Sequence, residues 1–139
     1  MQLCPCHSQL PYEECCGKFH RGSLPKSALE LMRSRYSAYA LGLVNYIIET
    51  THVDNPHYRR DLSAWKKELA MFCKQTRFEN LEILYTQEEG NFAVVSFKAT
   101  LKQALQDVSF TEISSFKREG KKWFYLNKDD KKKFKSASS

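Results

Sequence analysis

Hydrophobic and polar positions alternate with two different periods along this chain, and the period changes near its middle. From Ser27 to Leu41 the apolar residues recur at helical spacing. Ser27-Ala28-Leu29-Glu30 has the form of a capping box after Pro25, and Gly42 is a natural stop. A helix is therefore predicted over residues 27–41. Ala28, Leu29, Leu31, Met32, Tyr36, Ala38 and Tyr39 fall on its apolar arc, and Glu30, Ser34 and Ser37 on the face expected to be wet. Arg35 falls inside the apolar arc and Arg33 at its edge, so Arg35 needs a partner, a polar cavity or a route to the rim. A short helix fits Val44–Glu49, and a third fits Leu62–Lys74, capped by Asp61 or Ser63. The Asn-Pro step in DNPHYRRD marks a loop between them.

From Phe78 onward the period is two. LEILYT, a turn at EEGN, FAVVSFKATL, the connection QALQ, DVSFTEISSFK, a turn at REGK and KWFYL read as four strands in a meander. Three helices followed by four strands predict an α+β fold, with the helices packed on one face of a curved antiparallel sheet. On the third strand Phe110, Glu112, Ser114 and Phe116 share a face; on the fourth, Trp123 and Tyr125 do. If the phenylalanine face lies under the helices, Arg35 and Glu112 are two buried charges, and a bidentate pair between them is the expected solution. Tyr39, His52 and Trp123 are expected beside them in a ligand-binding cleft.

Before the first helix the chain has a different character. Four of the five cysteines, Cys4, Cys6, Cys15 and Cys16, lie in the first 16 residues, and Cys73 stands alone as an expected core thiol. An odd count and an adjacent Cys15-Cys16 pair argue against a disulfide framework. A C-x-C pair and a C-C pair on two short arms suit a tetrahedral zinc ion, whose binding can supply the folding energy of so small a segment. Free buried thiols or a redox role are the alternatives, and His20 could replace one thiolate.

The segment CPCHSQLPYEECCGKFH resembles the SEC-C motif, the small zinc knuckle at the end of the SecA translocation ATPase and in many bacterial proteins. That motif reads C-x-C-x(8)-C followed by His or Cys, and Ser8, Tyr12 and Gly17 also match it. His7-Ser8-Gln9 departs from the usual Gly-Ser-Gly. The helix MRSRYSAYALG, the short helix ending at His52, Glu112 and the final W-F-Y strand resemble the YchJ family, which places such a knuckle before a nuclear-transport-factor-2-like, or cystatin-like, cone. The resemblance implies a knuckle over residues 1–22 holding one structural Zn2+, a cone over 27–127 with its own core, and a basic flexible tail over 128–139.

Two functions follow as expectations. The knuckle in the translocation ATPase is similar to an adaptor for a chaperone and for ribosomes. This implies a docking surface for a protein or ribosomal partner through Tyr12, Lys18, Phe19 and His20, with a small ligand in the cone. Alternatively the cone is an isomerase, hydratase or dehydratase with Glu112 or His52 as acid or base. No paired carboxylates, nucleophile–histidine pair or glycine-rich phosphate loop accompanies them, so a non-enzymatic module is favoured.

Charge adds little. Half of the net +6 comes from the end of the chain after Leu126, leaving 17 basic against 14 acidic residues elsewhere. With no basic stripe interleaved by aromatics, nucleic acid is an unlikely partner. No apolar run approaches the ~20 residues of a membrane span, and the start has no signal-peptide pattern, so a cytoplasmic location is expected.

Overall fold

The computed structural model describes residues 2–128. Of the basic tail expected over 128–139, Lys128 ends the last strand and the rest lies outside the described residues. The elements are a 3-10 turn at Tyr12–Glu14, then α1 (Cys16–His20), α2 (Ala28–Leu41), α3 (Val44–Glu49) and α4 (Leu62–Gln75). The strands β1 (Thr76–Glu89), β2 (Phe92–Gln103), β3 (Gln106–Asp107), β4 (Phe110–Glu119) and β5 (Lys122–Lys128) follow.

The helix ends obey the local chemistry of their sequences. Ser27 Oγ accepts from the Glu30 amide at 3.1 Å, and Glu30 reaches back one residue further than a standard box, to the Lys26 amide at 2.7 Å. Gly42 closes α2 at φ 73°, the left-handed conformation that a C-terminal cap requires. Asp61, not Ser63, caps α4 through the Ala64 amide. The sheet is antiparallel in the order β1-β2-β4-β5, with the two-residue β3 folding back on β2 where a plain connection was expected. Register shifts at Phe78/Asn80 and Ile83/Tyr85 in β1 and at Ser115/Phe116 beside β5 give it the curvature that wraps the helices. Strand β1 starts at Thr76, directly after α4, so the helix passes into the sheet without a loop.

Of the face of α2 expected to be wet, Glu30 stays half-exposed and the two serines are buried. Ser34 and Ser37 are fully enclosed because the knuckle lies on them, while the opposite face covers the sheet. Cys4 Sγ sits 3.3 Å from Ser37 Oγ, and His20 Nε2 donates to the Ser34 carbonyl at 2.9 Å. Cys4, Cys6 and Cys16 belong to the same packed cluster as Leu31, Met32 and Val95. A helix with serines among its apolar residues can be covered on both sides, provided the second cover supplies polar partners. The expectation that the cone has a core independent of the knuckle therefore gives way to one shared core.

By contrast α4 is lightly held. Only Trp65 is buried, against the Tyr58 ring at 5.1 Å, while Leu62 and Met71 face outward. Cys73 is half-buried rather than a core residue. No helix among the described residues is long and apolar enough to cross a membrane.

Candidate functional site

Two sites lie on opposite sides of α2. On the outer side, the Sγ atoms of Cys4, Cys6, Cys15 and Cys16 all fall within 4.8 Å of one another. A tetrahedral ion with ~2.3 Å bonds to sulfur sets its ligands about 3.8 Å apart, so the cluster fits a metal with only small adjustment. The Cys6–Cys15 and Cys15–Cys16 separations are 3.6 and 4.0 Å. Hydrogen bonding from Cys16 foremost, and then from Ser8, Cys4 and Arg33, lowers the Cys6 thiol pKa against the opposing effect of burial.

The local backbone explains the remaining residues of the motif. A Cβ on Gly17 would stand 2.8 Å from the Tyr12 carbonyl oxygen, so this position admits only glycine without a shift. His7 and Gln9 adopt φ of 64° and 73°, the conformation that glycine takes most readily, at the two places where the family usually has glycine. Gln9 is exposed. Gln9→Gly is expected to stabilise the metal-loaded protein by about 0.5 kcal/mol, relief of left-handed strain less the added freedom of the unfolded chain, measured by thermal unfolding. His20 is not a fourth-ligand candidate in this geometry. Its Nε2 donates to Ser34, so Nδ1 accepts from the Tyr12 hydroxyl at 2.6 Å, and burial lowers its pKa. Arg33 Nη1 donates to the Cys6 carbonyl at 3.0 Å and approaches Cys6 Sγ at 3.7 Å. Of the expected docking contacts, Phe19 is buried and Tyr12 and His20 are bonded inward, leaving Lys18 exposed.

On the inner side of α2 lies a cavity of about 330 Å³ between helices and sheet. Its body is apolar: Met32 from α2, Leu69 and Phe72 from α4, Phe97 and Leu101 from β2, and Phe116 from β4. One end is polar. Arg35 and Tyr39 reach it from α2, Glu112 and Ser114 from β4, and Tyr125 from β5. The face shared by Phe110, Glu112, Ser114 and Phe116 is the one under the helices, as their spacing allowed.

The expected Arg35–Glu112 bidentate pair does not form. Arg35 is 8% exposed and donates through Nη1 alone, to the Ile47 carbonyl at 2.9 Å and the Thr50 and Thr51 hydroxyls at 2.8 and 3.1 Å. Glu112 Oε2 accepts from Ser114 at 2.5 Å and from the Tyr125 hydroxyl at 3.2 Å. Tyr125 lies between the charges, its ring 4.7 Å from the Arg35 guanidinium carbon. Burial, and then the Glu112 charge, push the Tyr125 pKa up, keeping its hydroxyl a donor. The backbone of β5 is fixed by the same segment that Arg35 grips: Tyr125 N–H donates to the Thr50 carbonyl, and His52 N–H to the Tyr125 carbonyl.

His52 and Trp123 do not line the cavity. His52 is buried at the far side of β5, where its Nδ1 accepts from the Asp54 amide and Nε2 donates to Glu119 at 2.6 Å. That bond, foremost, lowers the Glu119 pKa from 4.5. A depressed carboxylate supports the fold above its unfolded pKa and loses that support as the pH falls through its folded one. Stability should therefore decline below pH ~4.5, and Glu119→Gln should flatten this decline in acid titrations followed by circular dichroism. Trp123 is fully buried, with the Arg118 guanidinium over its ring at 5.3 Å. The sequence reading passed over Ser114, Tyr125 and Arg33 as site residues. The period-two pattern already put Ser114 beside Glu112 and Tyr125 beside Trp123, but nothing local marks Thr50 and Thr51 as partners of Arg35.

Comparison with known proteins agrees with this architecture. Residues 27–128 match the family model described as "YchJ, middle NTF2-like domain". A UPF0225 protein of Bordetella pertussis is 33% identical over 130 residues, covering 91% of each chain. The solution structure of a SEC-C motif containing protein from Rhodopseudomonas palustris superposes with a TM-score of 0.78 at 32% identity, covering 92% of this chain and 98% of that one. A SEC-C motif containing protein from Psychrobacter arcticus gives 0.72 at 26% identity, over 91% and 81% of the two chains. A cysteine cluster suited to a metal, seated on a nuclear-transport-factor-2-like cone, thus places the chain in the YchJ (UPF0225) family.

Proposed function

We propose that this protein is a cytoplasmic small-ligand-binding protein whose cone holds the ligand and whose knuckle carries one structural zinc ion. The observation that supports the first part is the cavity itself. It is an apolar chamber, within the ~300–1,000 Å³ range of small-molecule sites, with its few polar groups gathered at one end. Four thiolates favour zinc over harder cations, and a site closed by protein ligands keeps no position for water, so the ion acts as a crosslink. Elemental analysis of protein never exposed to chelator should find about one zinc per chain; less than about a tenth of that would overturn the assignment. For the cavity, titration with toluene should shift the NMR resonances of Phe97, Leu101 and Phe116. Unmoved resonances at saturation would remove the binding reading.

A second reading is docking of a protein or ribosomal partner on the knuckle. It is favoured by Leu3 and Leu10, exposed to 57% and 52% at its outer end. A pull-down that loses its partner in a Leu3→Ser/Leu10→Ser variant with intact metal content would support it, and an unchanged one would count against it. No acid–base pair is set up around Glu112, whose bonded neighbours are a serine and a tyrosine held protonated, so the enzyme reading has less to rest on.

A further inference from the structure

The polar end of the cavity is half used. Arg35 spends only Nη1 on the protein; its Nε–H and Nη2–H, which point to the same side of the guanidinium as a two-pronged fork, have no acceptor among the described residues. Glu112 is used as asymmetrically. Both of its donors, Ser114 and Tyr125, go to Oε2, and Oε1 accepts from none among the described residues. The Tyr39 hydroxyl lines the same end without a hydrogen-bond partner among the described residues. Arg35 as a residue is more than nine-tenths buried, and donors on buried side chains normally find acceptors. Here the unsatisfied edge belongs to a side chain at the polar end of the cavity, where Glu112, Ser114 and Tyr125 bond to one another and none of them accepts from Arg35.

We infer that the cavity takes a net-neutral small molecule with an apolar body and a carboxamide head, the carbonyl oxygen accepting from the Arg35 fork and the amide N–H₂ donating to Glu112 Oε1. This rests on the binding role proposed above for the cavity, and adds the class of ligand. Charge decides between head groups. The site already holds one positive and one negative side chain, kept from pairing by the Tyr125 ring between them. A carboxylate head would satisfy the fork but set a second negative charge near Glu112. An ammonium head would satisfy Glu112 and confront Arg35. A carboxamide carries an acceptor and a donor on one carbon and adds no net charge beside Arg35 and Glu112. The body is set by the walls, where Phe97, Phe110 and Phe116 favour an aromatic ring.

The test uses the zinc-loaded full chain at pH 7 and four probes sharing one ring: toluene, phenylacetamide, phenylacetate and phenethylamine. Affinities are read from NMR shifts of Phe97, Phe116 and the Arg35 Nε–H. Phenylacetamide should bind at least roughly tenfold more tightly than each of the other three, and should move the Arg35 Nε–H resonance where toluene does not. In Glu112→Gln the order should change, phenylacetate gaining about tenfold or more over its wild-type affinity. If toluene binds and phenylacetamide binds no better, the head-group inference fails while the cavity remains a binding site. If phenylacetate or phenethylamine leads in the wild type, the neutral class is wrong. If no probe perturbs the cavity, both the inference and the reading beneath it fall. The wild-type ranking decides the matter even if the variant does not fold.

Discussion

Cys16→Ser is expected to lower the melting temperature of the entire protein, cone included, by ~10 °C or more, corresponding to about 3 kcal/mol. The reason is the double cover on α2. Cys4, Cys6 and Cys16 share a core with Leu31, Met32 and Val95, and Ser34 and Ser37 are enclosed only because the knuckle is folded above them. Loss of one ligand removes the crosslink that folds a segment too small to fold alone, and α2 is then left with one side uncovered. His20 would lose the Tyr12 and Ser34 contacts that tie the two parts together. Amide spectra of the variant give the answer directly. Broadened or shifted signals throughout α2 and into β2 would bear out the shared core. A variant in which only the knuckle signals collapse while Val95 and Phe116 keep their positions would show that the cone stands alone.

The second large effect belongs to Arg35. Arg35→Ala should destabilise the fold by about 3 kcal/mol or more, since three acceptors lose a charged donor in a buried site. Thr50 and Thr51 spend their own hydroxyl protons on the Tyr46 and Ile47 carbonyls, so they cannot replace what the guanidinium supplied. The damage should spread to β5, because the Thr50–His52 backbone that Arg35 steadies is hydrogen-bonded to Tyr125. Arg35→Lys should recover only part of the loss: an ammonium near the Nη1 position can serve the same acceptors, but it lacks the planar guanidinium that stacks on the Tyr125 ring. Glu112→Gln should by comparison change stability by less than about 1 kcal/mol, as the amide oxygen still accepts from Ser114 and Tyr125. Chemical denaturation of the three variants separates these outcomes. Equal losses for Arg35→Ala and Glu112→Gln would mean that the two charges act as one pair after all.

Much of this architecture is legible in the sequence. Caps and periods fix α2, α4 and the strands because these are local effects, readable from Ser27, Gly42, Asp61 and the alternation along FAVVSFKATL. The ligand cysteines are legible because a metal demands particular atoms at particular spacings. What escaped was what depends on packing between distant segments. Ser34 and Ser37 look like a solvent face to any helical projection, since nothing within their own helix reveals a second cover. Arg35 was recognised as needing partners, but the choice between a carboxylate on β4 and three oxygens after α3 is set by how α3 folds back. The acceptors that α3 brings nearest took the Nη1 donors, and the carboxylate on β4 was left to Ser114 and Tyr125. Position along the chain suggests His52 and Trp123 for the cleft, yet neither lines the cavity.

The covering of α2 on both sides has a consequence for how this protein can change. A helix with a free side accepts substitutions there almost without penalty, and that is where sequences ordinarily drift. Here the residues that would provide such slack, Arg33, Ser34 and Ser37, bond to the cysteine loop, to a histidine and to a tyrosine. Variation in the knuckle and in the cone is therefore epistatic through one helix. A graft of this knuckle onto another cone should hold its metal only if Arg33 and Ser37 travel with it, and a library randomising them can be screened by metal retention alone.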